Sequence, residues 1–89
     1  MLKVAMTTNE IKIAVRDYIL KTFLPDESPE SVGDDTELVT SGVLDSLGSL
    51  NLVSWLSETF GVEVEAHEVD VDHLNTINLI TDLVKSKLG

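Results

Sequence analysis

Three groups of side chains in this sequence have the types from which sites are built. They are Ser46 with its neighbours Asp45 and Leu47, the two histidines His67 and His73, and the ligand-rich run His67, Glu68, Asp70, Asp72 and His73. A serine nucleophile needs a base within hydrogen-bond reach. Neither histidine follows a pattern that would set it against Ser46, so no catalytic residue is expected. His67 reads as an ordinary loop residue, and His73 as one packed at the border of a short helix. The metal reading is no better supported. Asp70-Val71-Asp72-His73-Leu74 lacks the glycine and the closing glutamate of a calcium loop, and no paired histidine spacing resembles a zinc site. Gly33, Gly42, Gly48 and Gly61 do not assemble into a phosphate loop. With no cysteine in the chain, disulfides, thiolate metal sites and a cysteine nucleophile are excluded. Any thiol chemistry must be brought in from outside the sequence.

That leaves Ser46, which falls at the start of a helical pattern. The first amides of a helix lack partners inside it, and its dipole favours a negative group there. A phosphodiester on the serine oxygen would therefore sit in favourable electrostatics. A serine at this position is equally a good helix cap, and composition and period do not separate the two readings.

The elements around it are helical. Thr7 followed by Glu10 fits a capping box, and Ile11, Val15, Tyr18 and Thr22, flanked by Ala14 and Ile19, give an amphipathic helix over about 8 to 24, ended by Pro25. Residues 25–44 hold both prolines and many acids, with Leu38 and Val39 as an apolar pair able to dock on the core. Connections of this length are uncommon in a small domain unless they have a role, and one candidate role is to let two adjacent helices run parallel. A second helix runs from Asp45 or Ser46 to Phe60, with Gly61 able to terminate it. Its core face is Leu52, Val53, Leu56 and Phe60, with Leu50 and Trp55 on the borders. At 100° per residue, Leu47, Asn51, Ser54 and Glu58 fall on the opposite, outward face, where Leu47 is an apolar exception suited to seating a partner. Val62 and Val64 alternate over too few residues for a sheet. Asp70 to Leu74 suits one helical turn, and a last helix capped by Asn75 or Thr76 buries Ile77, Ile80, Val84 and Leu88, with Leu83 beside them and Asn78, Asp82 and Lys85 towards water.

The whole chain agrees with a small bundle. Eighty-nine residues, 43% of them hydrophobic, with one Trp, one Tyr and two Phe, make one domain spanning 1–89, its modest core built from Leu, Ile and Val. The formal charge is −10, and every Lys and Arg lies before Thr22 or after Val84, while all the acids except Glu10 and Asp17 lie between. Such a block repels nucleic-acid phosphates and anionic lipid and attracts basic proteins. No apolar run approaches the roughly 20 residues needed to cross a bilayer, so a cytoplasmic protein without membrane insertion is expected; a monomer is expected as well.

The segment Gly42-Val43-Leu44-Asp45-Ser46-Leu47-Gly48-Ser49-Leu50 resembles the phosphopantetheine attachment motif of acyl carrier proteins, whose core is Asp-Ser-Leu at the start of the second helix. The succession around it is similar to that family over nearly the whole chain: a first helix, a long acidic loop, the motif helix closed by Phe60-Gly61-Val62-Glu63-Val64, a short third helix, and Thr76 opening a fourth. The resemblance implies an all-α, four-helix carrier bundle with three main helices and a short third one. It implies that Ser46 receives 4'-phosphopantetheine from coenzyme A through a phosphopantetheinyl transferase, and that the cargo is held on the arm as a thioester. It further implies that Asp45 helps to present the site, that Leu47 is an exposed apolar contact, and that the second helix is read by partner enzymes. Those partners would be an acyl- or aminoacyl-activating ligase and a downstream transferase or synthase.

Fatty-acid-synthesis carriers have several acids along the second helix. Here Asn51 and Ser54 occupy the outward face, Glu58 is the helix's only acid after Asp45, and Trp55 stands where a small residue is usual. A dedicated partner set is therefore expected, read through Asp45, Leu47, Leu50, Asn51, Ser54 and Glu58. The approach Ser41-Gly42-Val43-Leu44-Asp45-Ser46 is similar to stand-alone D-alanyl, aminoacyl and peptidyl carriers. The competing reading is an acidic helical protein-binding module without a prosthetic group.

Overall fold

A computed structural model describes residues 7–88. Its elements are α1 (Thr8–Phe23), α2 (Ser46–Phe60), α3 (Val71–Leu74) and α4 (Ile77–Leu88), with single 3-10 turns at Pro29–Ser31 and Ala66–Glu68. There is no strand among the described residues. The four-helix arrangement with a short third helix is the expected one.

The capping box opens α1: Thr7 Oγ1 accepts from the Glu10 amide at 3.1 Å, and Glu10 Oε1 accepts from the Thr7 amide at 2.8 Å. The helix stops at Phe23, one residue short of the expected end. Ile11, Val15, Ile19 and Leu20 are buried, whereas Tyr18 is half-buried and Thr22 is exposed, contrary to the stripe read from spacing. The buried direction drifts around the helix from Ile11 towards Leu20, as happens when a helix crosses its neighbours at an angle.

The connection from α1 to α2 is irregular but anchored. Val32, Leu38 and Leu44 are all at or below 2% exposure, so a side chain enters the core every six residues. Full burial of one such side chain is worth on the order of 1.5–3 kcal/mol. Leu38 docks as expected, and Val39 lies half-buried beside it. Polar contacts hold the outer part of the loop. Asp34 pairs with Lys12 at 3.0 Å and with Arg16, and Arg16 Nε also donates to the Val32 carbonyl at 2.9 Å. From the other side, the Asn78 amide donates to the Asp34 carbonyl and its side chain to Asp35. Asn78, placed towards water by its helical angle, is thus a loop clasp.

On α2, Leu52 and Leu56 are buried, and Trp55 stacks on Tyr18 of α1 with centroids 4.4 Å apart and rings 15° from parallel. Phe60 meets Trp55 edge-on at 5.5 Å, so the half-buried aromatics thicken the core between α1 and α2. Gly61, at φ 69°, ends the helix. The Asp70 side chain caps α3. Of the two candidate caps for α4, Thr76 serves, accepting from the Leu79 amide at 3.0 Å, while Asn75 has other partners. Ile77, Ile80, Leu83 and Val84 are buried as expected, but Leu88 is 40% exposed, because it ends the helix at the margin of the core. Thr81, absent from the expected stripe, is fully buried, and its hydroxyl has no hydrogen-bond partner.

Candidate functional site

The turn that delivers the chain into α2 is built by Gly42, Leu44 and Asp45. Gly42 lies at φ 91°, a backbone state that a side chain would strain, and its amide donates to the Val39 carbonyl at 3.1 Å. Leu44 is buried to 1% and bonds back to the Leu38 carbonyl at 2.8 Å. Asp45 is then held as the N-cap: Oδ1 accepts from the Gly48 amide at 2.7 Å, and its carbonyl accepts from Ser49 at 2.8 Å.

The capping reading of Ser46 is not the arrangement found. The cap is Asp45, and Ser46 is the first residue of the helix proper, exposed to solvent. Its hydroxyl is not committed to capping. The glycine two residues on has a structural reason that spacing does not reveal. A Cβ on Gly48 would stand 3.0 Å from Phe23 Cε1 and 3.1 Å from Asp45 Oδ1, so the end of α1 and the capping carboxylate both press on that position.

Beside Ser46 lies an open cleft of about 590 Å³. Val39, Gly42 and Leu44 of the loop form one side, Ser46, Ser49 and Leu50 of α2 another, and Val69 and Asp70 the third. Asp70 Oδ1 lies 2.7 Å from His73 Nδ1. That hydrogen bond is the leading cause that holds the Asp70 carboxyl below its ordinary range, with partial burial opposing it. His73 is thus engaged with Asp70 at the border of α3. Among the described residues no cluster of three or more His, Cys, Asp or Glu could hold a metal ion.

The outward face read from helical angles, Leu47, Asn51, Ser54 and Glu58, is exposed, as are Leu50, placed on its border, and Asp45 before it. Leu47 is 68% and Leu50 57% exposed. Trp55 faces the aromatic cluster and is not among the residues lining the cleft. Val69 is not signalled by the sequence, Asp70 enters there only as a metal-ligand candidate, and Gly42 and Ser49 belong to the motif segment without a role of their own. Val69 and Asp70, which lead into α3, reach the cleft only through tertiary packing, so no local spacing signals them.

The site is thus an uncommitted serine hydroxyl on the first turn of a 15-residue helix, with an open and partly apolar cleft next to it. The chain belongs to the Phosphopantetheine attachment site family, which it matches over residues 19–84. It is 34% identical over 73 residues to the D-alanyl carrier protein of Streptococcus sanguinis, covering 82% of this chain and 89% of that one. It is 40% identical over 58 residues to the D-alanyl carrier protein of Streptococcus uberis, covering 63% and 73%. Among solved structures it is similar to KstB-PCP in its apo form, with a TM-score of 0.67 and 28% identity over 90% of this chain and 88% of that one.

The protein is a carrier that holds an acyl or aminoacyl group on a covalently bound 4'-phosphopantetheine. The arm supplies a terminal thiol that this cysteine-free chain lacks. The residues present fit it: an exposed serine hydroxyl at the start of α2 could bear the phosphodiester, the helix dipole would favour its negative charge there, and a cleft lies alongside.

Proposed function

We propose that Ser46 bears the arm and that the chain, without catalysis of its own, presents a cargo to enzymes that recognise Asp45, Leu47, Leu50, Asn51, Ser54 and Glu58. One observation carries this reading: Asp45 takes the capping role and leaves the Ser46 hydroxyl exposed beside the cleft. The partners are a phosphopantetheinyl transferase, a ligase that loads the arm, and a transferase or synthase that removes the cargo. The D-alanyl carrier relatives and the weakly acidic outer face of α2 favour an aminoacyl cargo and a dedicated partner set over general fatty-acid synthesis. No helix among the described residues is long and apolar enough to cross a membrane, which accords with action in the cytoplasm.

Incubation with coenzyme A and a phosphopantetheinyl transferase is expected to add one arm by intact mass, and Ser46→Ala to abolish the addition. Because the cap is Asp45, Ser46→Ala should melt close to the unaltered protein, whereas Asp45→Ala should lose about 0.5–2 kcal/mol. Addition to the Ser46→Ala chain would move the attachment elsewhere. A chain that takes no arm while a control carrier does would favour the binding-module reading.

A further inference from the structure

The residue between α3 and α4 has an unusual set of partners. The Asn75 carbonyl accepts from the Leu38 amide at 2.6 Å. Its side-chain Oδ1 accepts from the Val39 amide at 2.9 Å and the Thr40 amide at 3.1 Å, with Thr40 Oγ1 at 3.4 Å. Three consecutive loop amides thus end on one residue far along the chain. Asn75 also closes α3, donating its own amide to the Val71 carbonyl at 3.2 Å. Val39 lines one side of the cleft beside Ser46, and Val69 and Asp70, which lead into α3, line another. Asn75 therefore joins two walls of the cleft.

We propose that Asn75 is a positioning residue for loading: its side-chain oxygen ties the loop in front of Ser46 to the α3–α4 junction and so fixes the cleft into which the serine is presented. This rests on the reading that Ser46 bears the arm. Below the tie, the chain passes from Val39 through the Gly42 turn to the Leu44 anchor and the Asp45 cap. If the Val39 and Thr40 amides lose their acceptor they must turn towards water, and the loop then samples arrangements in which Ser46 is not presented. The apparent affinity of the transferase falls by the fraction of competent molecules, while chemistry in the bound complex is unchanged. The bonds through Oδ1 use it only as an acceptor, so a carboxylate can replace the amide and an isosteric hydrocarbon cannot.

The test compares the full chain with N75L and N75D. In N75L, hydrogen exchange of the Val39 and Thr40 amides is expected to accelerate by about tenfold or more, with the Ile80 and Val84 amides of α4 unaffected. The KM of a phosphopantetheinyl transferase for N75L is expected to rise by about tenfold, with kcat within about twofold of the unaltered protein. N75D should match the unaltered protein in both measurements. Should N75L fail to fold, N75A removes the same acceptor and takes its place. Unaltered exchange at Val39 and Thr40, an unaltered KM in N75L, or an N75D chain that behaves like N75L would each overturn the proposal. An unaltered chain that takes no arm overturns the Ser46 reading and this inference with it, and is distinct from failure of the tie alone, in which the unaltered chain and N75L load equally well.

Discussion

Thr81 places a hydroxyl in the core with nothing to bond, and Asp45 places a carboxylate where one backbone amide needs it. The two positions bracket what a single side chain contributes in this fold. A buried, unsatisfied polar group costs about 1–3 kcal/mol, and valine has nearly the shape of threonine without that cost. Thr81→Val is therefore expected to raise stability by about 1 kcal/mol, or Tm by about 4–8 °C in a domain of this size. A lower Tm in a thermal melt would show that the hydroxyl has a bonding role. Residue-scale chemistry was partly legible in the sequence. Asp-Ser-Leu marked the start of the second helix and singled out Ser46 as the proposed site, but whether Asp45 or Ser46 capped the helix was not decidable, since both types cap well and differ by one position. Asn75 likewise read as a helix cap, because its bonds reach residues 35 and 36 positions away.

At the scale of elements, the helices were legible and the loop was not. Amphipathic spacing and caps are local signals, so α1, α2 and α4 fall within a residue or so of expectation. Thr22 and Leu88 were misplaced because a stripe read from spacing carries no information on where neighbouring elements end or cross. The loop before α2 has no period, and Val32, Asp34 and Asn78 gain their roles only once α1 and α4 are adjacent. Asp34 is the polar centre of that arrangement. The Lys12 hydrogen bond, aided by the charges of Lys12 and Arg16, holds its carboxyl below the usual range against some desolvation. A carboxyl depressed in the folded state adds stability above its unfolded pKa and loses it as the pH falls through the folded one. Asp34→Asn is thus expected to lower Tm at neutral pH, and the gap to close on acidification from about pH 4 downward. A gap that persisted or widened in acid would contradict the assigned pairing. With the Asp34 side chain 39% exposed, solvent screening keeps the effect modest.

Over the whole molecule the charge is organised more strongly than its total suggests. Among the described residues Lys12, Arg16, Lys21 and Lys87 are each paired with an acid, and Lys85 donates to Thr8. These five cations are engaged within the fold, and the remaining acids set the field that an approaching protein meets. Under the proposed function, the KM of a partner enzyme for this carrier should rise across roughly a tenfold increase in ionic strength, as screening shortens the reach of that field. Glu58→Lys should raise KM at low salt and matter less at high salt. A KM indifferent to salt would assign recognition to the uncharged residues Leu47, Leu50, Asn51 and Ser54.

The stack of Trp55 on Tyr18 has a consequence of a different kind. The chain has one tryptophan and one tyrosine, and they lie face to face at 4.4 Å across the α1–α2 boundary, with the tryptophan on the helix that begins at Ser46. The protein thus carries a built-in optical reporter. Its indole emission and the quenching of its tyrosine follow the distance between these two helices, so any separation of α1 from α2 as cargo is received can be watched without a label.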